Sequence, residues 1–394
     1  MAALMSYFAP PIAGEWGDEA EDNTDGVPVL RTTNFTADGR LSYDDLTYRS
    51  IDTEKKENKI LQLGDIIIEK SGGTPKKPVG RCVYFDRDDE YDYFCSNFTA
   101  ILRANTEEVN TKYLWYILQE HYKNRQCLKY QYKTNGIANL DIKDYLSHKE
   151  VELPPREVQD KRVEAMDYSQ HLLDLHQELL DIMDNAVKSR FIEMFGDPVA
   201  NSKEYPVYKF SDITTSRLGK MLDKKRQTGK NNYPYLANYN VQWFRLELDN
   251  LNEMDFDEAD RQEFELKNGD LLVCEGGEVG RCAIWRDEKE NCYFQKALHR
   301  VRCDPKYIIP EYLGWTFYWH SQYNGFIDAI SGVSTIAHLP GDKLKQLQII
   351  VPPLELQNQF ADFVAQADKS KLTIQKSMDN LMELRNSLLQ EYFG

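Results

Sequence analysis

Two textures alternate along the chain. Short apolar runs rich in Val, Ile, Tyr and Phe, closed by Gly or Asp, read as strands, as in "KILQLGDIIIEK", "RCVYFD" and "FELKNGDLLVCEGG". After Pro154-Pro155, and again after Pro352-Pro353, the pattern turns helical. Apolar residues at 3–4 spacing (Ala165, Tyr168, Leu172, Leu175, Leu179, Ile182, Ala186) predict a helix from Arg156 to about Met194. A second, through Phe363, Ala367, Ile374, Met378, Leu381, Leu384 and Leu388, is predicted from Leu354 to about Tyr392. Each would be roughly 50 Å long at 1.5 Å per residue. An apolar stripe of that length needs a partner. Either the helices pack on each other as a coiled-coil-like pair, with Leu172, Leu175, Leu179 and Ile182 facing Ile374, Met378, Leu381 and Leu388, or each caps its own β-rich part.

The texture changes twice because the chain repeats itself. "VPVLRTTN" at Val27 is answered by "YPYLANYN" at Tyr233, Gly64-Asp65 by Gly269-Asp270, and Val79-Gly80-Arg81-Cys82 by Val279-Gly280-Arg281-Cys282. "GIANL" returns as "TIAHL", "VELPPREVQDKR" as "IIVPPLELQNQF", and "EMFG" as "EYFG". The offset of about 200 residues is domain-sized, far above the 20–50 of stacked solenoid repeats. The expected fold is α+β: two tandem, mainly β globular domains, each followed by a long helix, the helices paired antiparallel as a spacer. The boundaries fall at 1–153 and 197–351 for the globular domains and at 154–196 and 352–394 for the helices.

Charge complicates the picture. The formal net charge is −16, which argues against nucleic acid as a partner unless the cations are clustered. No apolar run approaches the roughly 18 residues of a membrane span, and the N-terminus lacks the basic and apolar regions of a secretory signal. The seven cysteines include no CxxC pair, so they read as reduced core thiols of a cytoplasmic protein without a metal site.

Signatures of catalysis are missing: the chain has no GxxxxGK[ST], no GxSxG and no HExxH. Asp65 with Glu69-Lys70 does not have the spacing of a nuclease core. The candidate residues are polar and basic instead. In "EKSGGTPKKPVGR", Lys70, Ser71, Gly72, Gly73, Thr74, Lys76, Lys77 and Arg81 form either a phosphate- and base-contacting glycine loop or a solvated hairpin tip. The second copy keeps Gly276, Gly277 and Arg281 but adds Glu275 and Glu278, which either accept from cytosine or brace the loop. A cluster of Arg217, Lys220, Lys224, Lys225, Arg226 and Lys230 against the single acid Asp223 reads as phosphate contacts or as a solvated loop. Its counterpart in the first unit, "GEWGDEAEDNTDG", is acidic. Tyr132, Lys133, Thr134, Asn135, Ser331 and Ser334, in the polar loops around the "IAxL" phrase, complete the set.

Two variable β-rich units carrying "GDIIIEKSGGTPKKPVGR" and "GDLLVCEGGEVGR", each ending in "hhxPPxxxQ" and a long helix, resemble the specificity subunits of type I restriction-modification systems over essentially the whole chain. The resemblance implies a non-catalytic DNA-binding protein whose target recognition domains each read half of a bipartite sequence, with the helices fixing the gap. It implies two methyltransferase subunits as partners, which use S-adenosylmethionine to methylate adenine N6. It further implies motor-nuclease subunits that use ATP and Mg, while this chain itself binds no cofactor. The acidic total is unlike a stand-alone DNA-binding protein, so binding is expected to be weak unless methyltransferase subunits help enclose the duplex. The same charge favours a different class, a protein-interaction adaptor or DNA-mimic inhibitor. Replacing Lys224, Lys225 and Arg226 by Gln separates the two. For a DNA reader, titration at rising KCl should show weaker binding to every sequence and a salt slope shallower by about one per lost phosphate contact.

Overall fold

The computed structural model describes residues 1–20, 26–74, 77–105, 109–197, 200–223, 227–323 and 338–394. It separates into two units, Met1–Gln177 with Lys376–Gly394, and Glu178–Gln375. The division falls inside both long helices, Arg156–Phe195 and Leu354–Phe393, so each unit holds part of each helix.

In the first unit the central sheet runs, in spatial order, Ile12–Ala13, Thr99–Leu102, Ile66–Glu69 and Cys82–Tyr84, all antiparallel. In its middle strands Ile66 to Ile68 and Ala100 to Leu102 are unbroken apolar runs because both faces are covered. Ile66 and Ile68 join a core with the helix Thr111–Lys123 and the ends of the long helices, while Ile67 joins a second core with Leu30, Phe35, Val83, Phe85 and Tyr93. That second core is closed by strands Asp18–Glu19, Thr47–Ser50, Val27–Leu30 and Phe94–Cys95, the last pair parallel. The second unit repeats the plan. Its central sheet is Thr214–Leu218, Leu298–Cys303, Leu271–Cys274 and Cys282–Ile284, and its companion is Asn252–Asp255, Asn232–Leu236 and Tyr293–Phe294, again ending in a parallel pair.

The repeated phrases are structural locks. Asp65 is only 2% exposed; it accepts from the backbone N–H of Gln62 (2.8 Å) and from Nε and Nη2 of Arg103 (2.8 and 2.7 Å). Asp270 does the same with Lys267 N–H and Arg302. The preceding Gly64 and Gly269 have φ of +94° and +88°, so only glycine fits the turn without strain. The second lock lies in the PPxxxQ phrase. Buried Gln159 donates to Pro154 O (2.8 Å) and accepts from Asn110 N–H (3.0 Å). Gln357 donates to Pro352 O and Tyr307 O and accepts from Ile309 N–H. Each glutamine thereby ties the start of a long helix to the segment leading into an earlier helix of the same copy, Thr111–Lys123 or Pro310–Tyr323.

Within each unit the two helix segments run antiparallel. In the first unit Arg162 donates to Tyr392 O and His176 meets Ser377; in the second Lys371 pairs with Asp184 and Phe191 packs on Phe360. The helix termini also cap the β-rich parts, through Val163, Met166, Leu389 and Phe393 in one unit and Val187, Phe191, Phe195 and Phe360 in the other. The inward face of the first helix is one residue on from the face expected. Val187 is buried and Leu172, Leu173, His176, Leu180 and Met183 are half-buried, whereas Tyr168, Leu175, Leu179 and Ile182 are exposed. The capping contacts of Met166 and Phe191 set that rotation, which the 3–4 spacing alone leaves open. On the second helix Ile374, Met378, Leu381 and Leu388 are half-buried.

Removing one partner of a buried pair leaves a charge stranded. Arg103→Ala is expected to cost about 3–5 kcal/mol, read as a lower urea midpoint, with Asp65→Asn added to it recovering part of the loss. An unchanged midpoint would show that the lock does not hold the unit.

Candidate nucleic-acid interface

The first unit brings two of the candidate stretches together. Gln131–Thr134 and Ile137–Leu140 form a hairpin whose second strand also pairs with Ser71–Gly73, making one three-stranded antiparallel sheet. The turn is Asn135-Gly136 with φ of +50° and +81°, the signature of a two-residue type I′ turn. Lys70 O accepts from Leu140 N–H (2.8 Å), and Phe98 O accepts from the N–H groups of Lys70 and Ser71. Alternation gives the sheet two faces. Leu140 and Gln131, whose Nε2 donates to Val79 O, face the core. Tyr132, Thr134, Ile137 and Asn139 share the opposite face, where Asn139 Nδ2 donates to Thr134 Oγ1 (3.3 Å) and to Ile137 O (3.1 Å). Tyr132 is 55% exposed, Ile137 46%, and neighbouring Phe98 48%.

No acidic residue occurs between Lys70 and Phe85 or between His121 and Leu140, although acids number 64 in the whole chain. The sheet is thus a cationic, partly aromatic surface on an acidic protein. Lys70, Lys77 and Lys133 make no ion pair with another described residue, and Lys129 lies over the Tyr130 ring at 5.0 Å. Burial, and then the neighbouring Lys129, push the Lys149 ammonium down from its ordinary value. Thr74 closes the loop, its N–H donating to Lys77 O and its Oγ1 accepting from Lys77 N–H. Lys76 lies outside the described residues.

Other candidates are engaged inside the protein. Arg81 makes a bidentate pair with buried Glu69 (3.0 and 3.3 Å) and donates to Thr32 O. Arg281 likewise donates to Asn238 O and to Glu278, which also accepts from the Trp243 indole. Both arginines brace the short 3-10 turn that follows a strand of the companion sheet, Thr32–Asn34 after Val27–Leu30 or Asn238–Asn240 after Asn232–Leu236. Glu278 is therefore used internally, and Gly276 and Gly277 sit beside it in a loop that bridges to His338. In the second basic stretch Arg217 pairs with Glu263, and half-buried Lys220 pairs with Asp260 and donates to Asp255 O. Lys230 is exposed; Lys224, Lys225, Arg226, Ser331 and Ser334 lie outside the described residues. The Asp255 carboxylate accepts from the backbone N–H groups of Thr228, Gly229 and Asn231, and these bonds hold its carboxyl down at about 2.

The family model of the type I restriction modification DNA specificity domain matches the chain twice, over residues 13–182 and 202–383. The chain belongs to that family. Among its relatives are the type I restriction enzyme MjaX specificity subunit of Methanocaldococcus jannaschii and the type I restriction enzyme specificity subunit S.HindORF215P of Haemophilus influenzae. The first is 23% identical over 200 residues, covering 50% of this chain and 46% of that protein; the second is 24% identical over 181 residues, covering 45% and 44%. The chain thus spans about half the length of these relatives. Two solved structures share the fold. The S subunit of a type I restriction-modification system from M. genitalium superposes with a TM-score of 0.54 at 13% identity, over 100% of this chain and 95% of that one. A chain from a structure describing complex assembly and conformational transition of the type I R-M system gives 0.57 at 14%, over 100% and 96%.

In this specificity-domain chain, residues not singled out from sequence also shape the surface: Phe98, Lys129, Ile137 and Asn139. Two signals point to them, the Asn-Gly turn between alternating residues and the acid-free run around it. Among the described residues no cluster of His, Cys, Asp or Glu could hold a metal ion, and no helix is long and apolar enough to cross a membrane.

Because the Asp255 carboxyl is depressed on folding, the stability it contributes is complete above the ordinary carboxylate value near 4 and is lost as pH falls from there towards 2. The protection factors of the Gly229 and Asn231 amides, taken against the intrinsic exchange rate at each pH, should therefore fall across that window in the native chain, and in Asp255→Asn they should be low already at neutral pH. Equal protection in the variant would remove the carboxylate from the account.

Proposed function

We propose that this chain is the DNA-reading specificity subunit of a type I restriction-modification complex and that it is non-catalytic. The observation that carries the reading is the duplicated frame, each copy of which matches the DNA specificity domain model. In this reading residues 1–153 and 197–351 are the two target recognition domains, each reading one half of a bipartite target. Residues 154–196 and 352–394 are the spacer, an antiparallel coiled-coil-like pair supported by the Arg162–Tyr392 and Lys371–Asp184 contacts within the respective units. Methyltransferase subunits, two of them, dock on the helices. Exposed Tyr168, Leu175, Leu179 and Ile182 support this, since a solvated helix face seldom carries such a run of large apolar groups. S-adenosylmethionine, ATP and Mg belong to the methyltransferase and motor-nuclease partners, and the complex works in the cytoplasm.

The adaptor or DNA-mimic reading draws on the net charge of −16. The acid-free sheet of the first unit favours DNA, because a mimic of DNA presents acids rather than lysines. The deciding experiment is co-expression with a type I methyltransferase subunit from the same genome, in a host lacking other methylation, followed by mapping of N6-methyladenine. The expected result is a bipartite motif with a fixed gap, and exchange of residues 197–351 for those of another family member should change one half of it only. A well-formed complex that leaves the DNA unmethylated would favour the adaptor.

A further inference from the structure

The geometry points to the hairpin Gln131–Leu140 as the base-reading element of the first unit, a two-stranded β-ribbon that lies in the major groove of duplex DNA. The inference rests on the proposed DNA-reading role and names the part of the chain that performs it. The major groove admits a two-stranded β-ribbon as readily as a helix. A groove reader also needs a stiff ribbon with one solvent-facing row of side chains, and cations rather than carboxylates on the ribbon itself.

The hairpin meets each requirement. Its turn is fixed by Asn135 and Gly136, and its second strand is anchored by pairing with Ser71–Gly73 and by the Leu140 N–H to Lys70 O bond. One face is tied down by Leu140 and by Gln131 on Val79 O. The other carries Tyr132, Thr134, Ile137 and Asn139, which combine hydroxyl and amide groups for base edges with an apolar surface for a thymine methyl. The bond from Asn139 Nδ2 to Thr134 holds the two polar side chains in register across the ribbon. Lys133 projects from the other face of the ribbon near its exposed tip, and Lys70, Lys77 and Lys129 lie on the adjoining segments, none of which carries an acid, so they neutralise phosphates flanking the groove while the row contacts bases. Charge complementarity selects the occupant. A protein partner for the same face would have to be strongly acidic.

The test uses the full chain in complex with its methyltransferase, selecting from a pool of random-sequence duplexes and titrating KCl. Tyr132→Ala with Asn139→Ala should relax one half of the selected motif and cost about tenfold or more in affinity for the original sequence, at an unchanged salt slope. The other half of the motif should persist, which shows that the variant is folded. Lys70, Lys77, Lys129 and Lys133 changed to Gln should instead weaken all sequences alike and flatten the salt dependence. A double variant that selects the same motif with the same affinity would overturn the inference, as would one that loses its methyltransferase while DNA selection is intact, since the face would then be a protein interface. A wild-type complex with no sequence preference would count against the underlying DNA-reading role rather than against the placement of the ribbon.

Discussion

Each unit is organised around one buried carboxylate. Asp65 and Asp270 stand at the start of the central strand of their sheets, and a carboxylate there is tolerable only if every lone pair is met. A backbone N–H of the turn and the fork of an arginine from the neighbouring strand meet them, so the turn, the central strand and its neighbour are fixed by one group. The backbone then closes the third side, with Phe85 N–H on Asp65 O and Trp285 N–H on Asp270 O. With the strand's beginning pinned, its end is placed as well. Lys70 and Ser71 emerge where they can receive the hairpin, and Glu275 emerges where its carbonyl accepts from Leu339 N–H in the same way. The candidate surface is therefore a consequence of a lock at the other end of the strand.

The same frame explains how an acidic chain can present a cationic surface. Net charge sums the molecule, but phosphates respond to local potential within about a Debye length, near 8–10 Å at ordinary salt. In the first unit the internally required cations, Arg81 and Arg103, are consumed by Glu69 and Asp65, and the lysines on the acid-free stretches are left to the surface. In the second unit two cations of the basic stretch, Arg217 and Lys220, pair with Glu263 and Asp260. The two copies share a scaffold and differ in electrostatics.

Much of this was legible in the sequence, and the reasons differ by level. The duplication, the β-rich texture and the helices after the double prolines follow from periodicity and turn residues, which are local. The locks were visible as the repeated GD and PPxxxQ phrases, but their partners Arg103, Arg302 and Asn110 come from distant segments. The helix face illustrates the limit. A 3–4 pattern on a helix with apolar residues at Leu172-Leu173, Leu175 and Leu179-Leu180 permits two stripes, and the choice falls to contacts at the ends, where Met166 and Phe191 enter β-rich cores. Cations show it too. Arg81 and Arg281 stand beside glycines like phosphate ligands, and only the fold places Glu69 or Glu278 against them.

What repeats and what varies can be separated on physical grounds. Replacing Asp65, Arg103 or Gln159 strands a buried polar group and costs stability, so such positions resist change whatever the protein binds. Tyr132, Thr134 and Lys133 have their side chains in solvent, on a ribbon held by backbone bonds and by Leu140, so their replacement costs the fold little. Recognition that must change from one family member to the next is best carried by such positions.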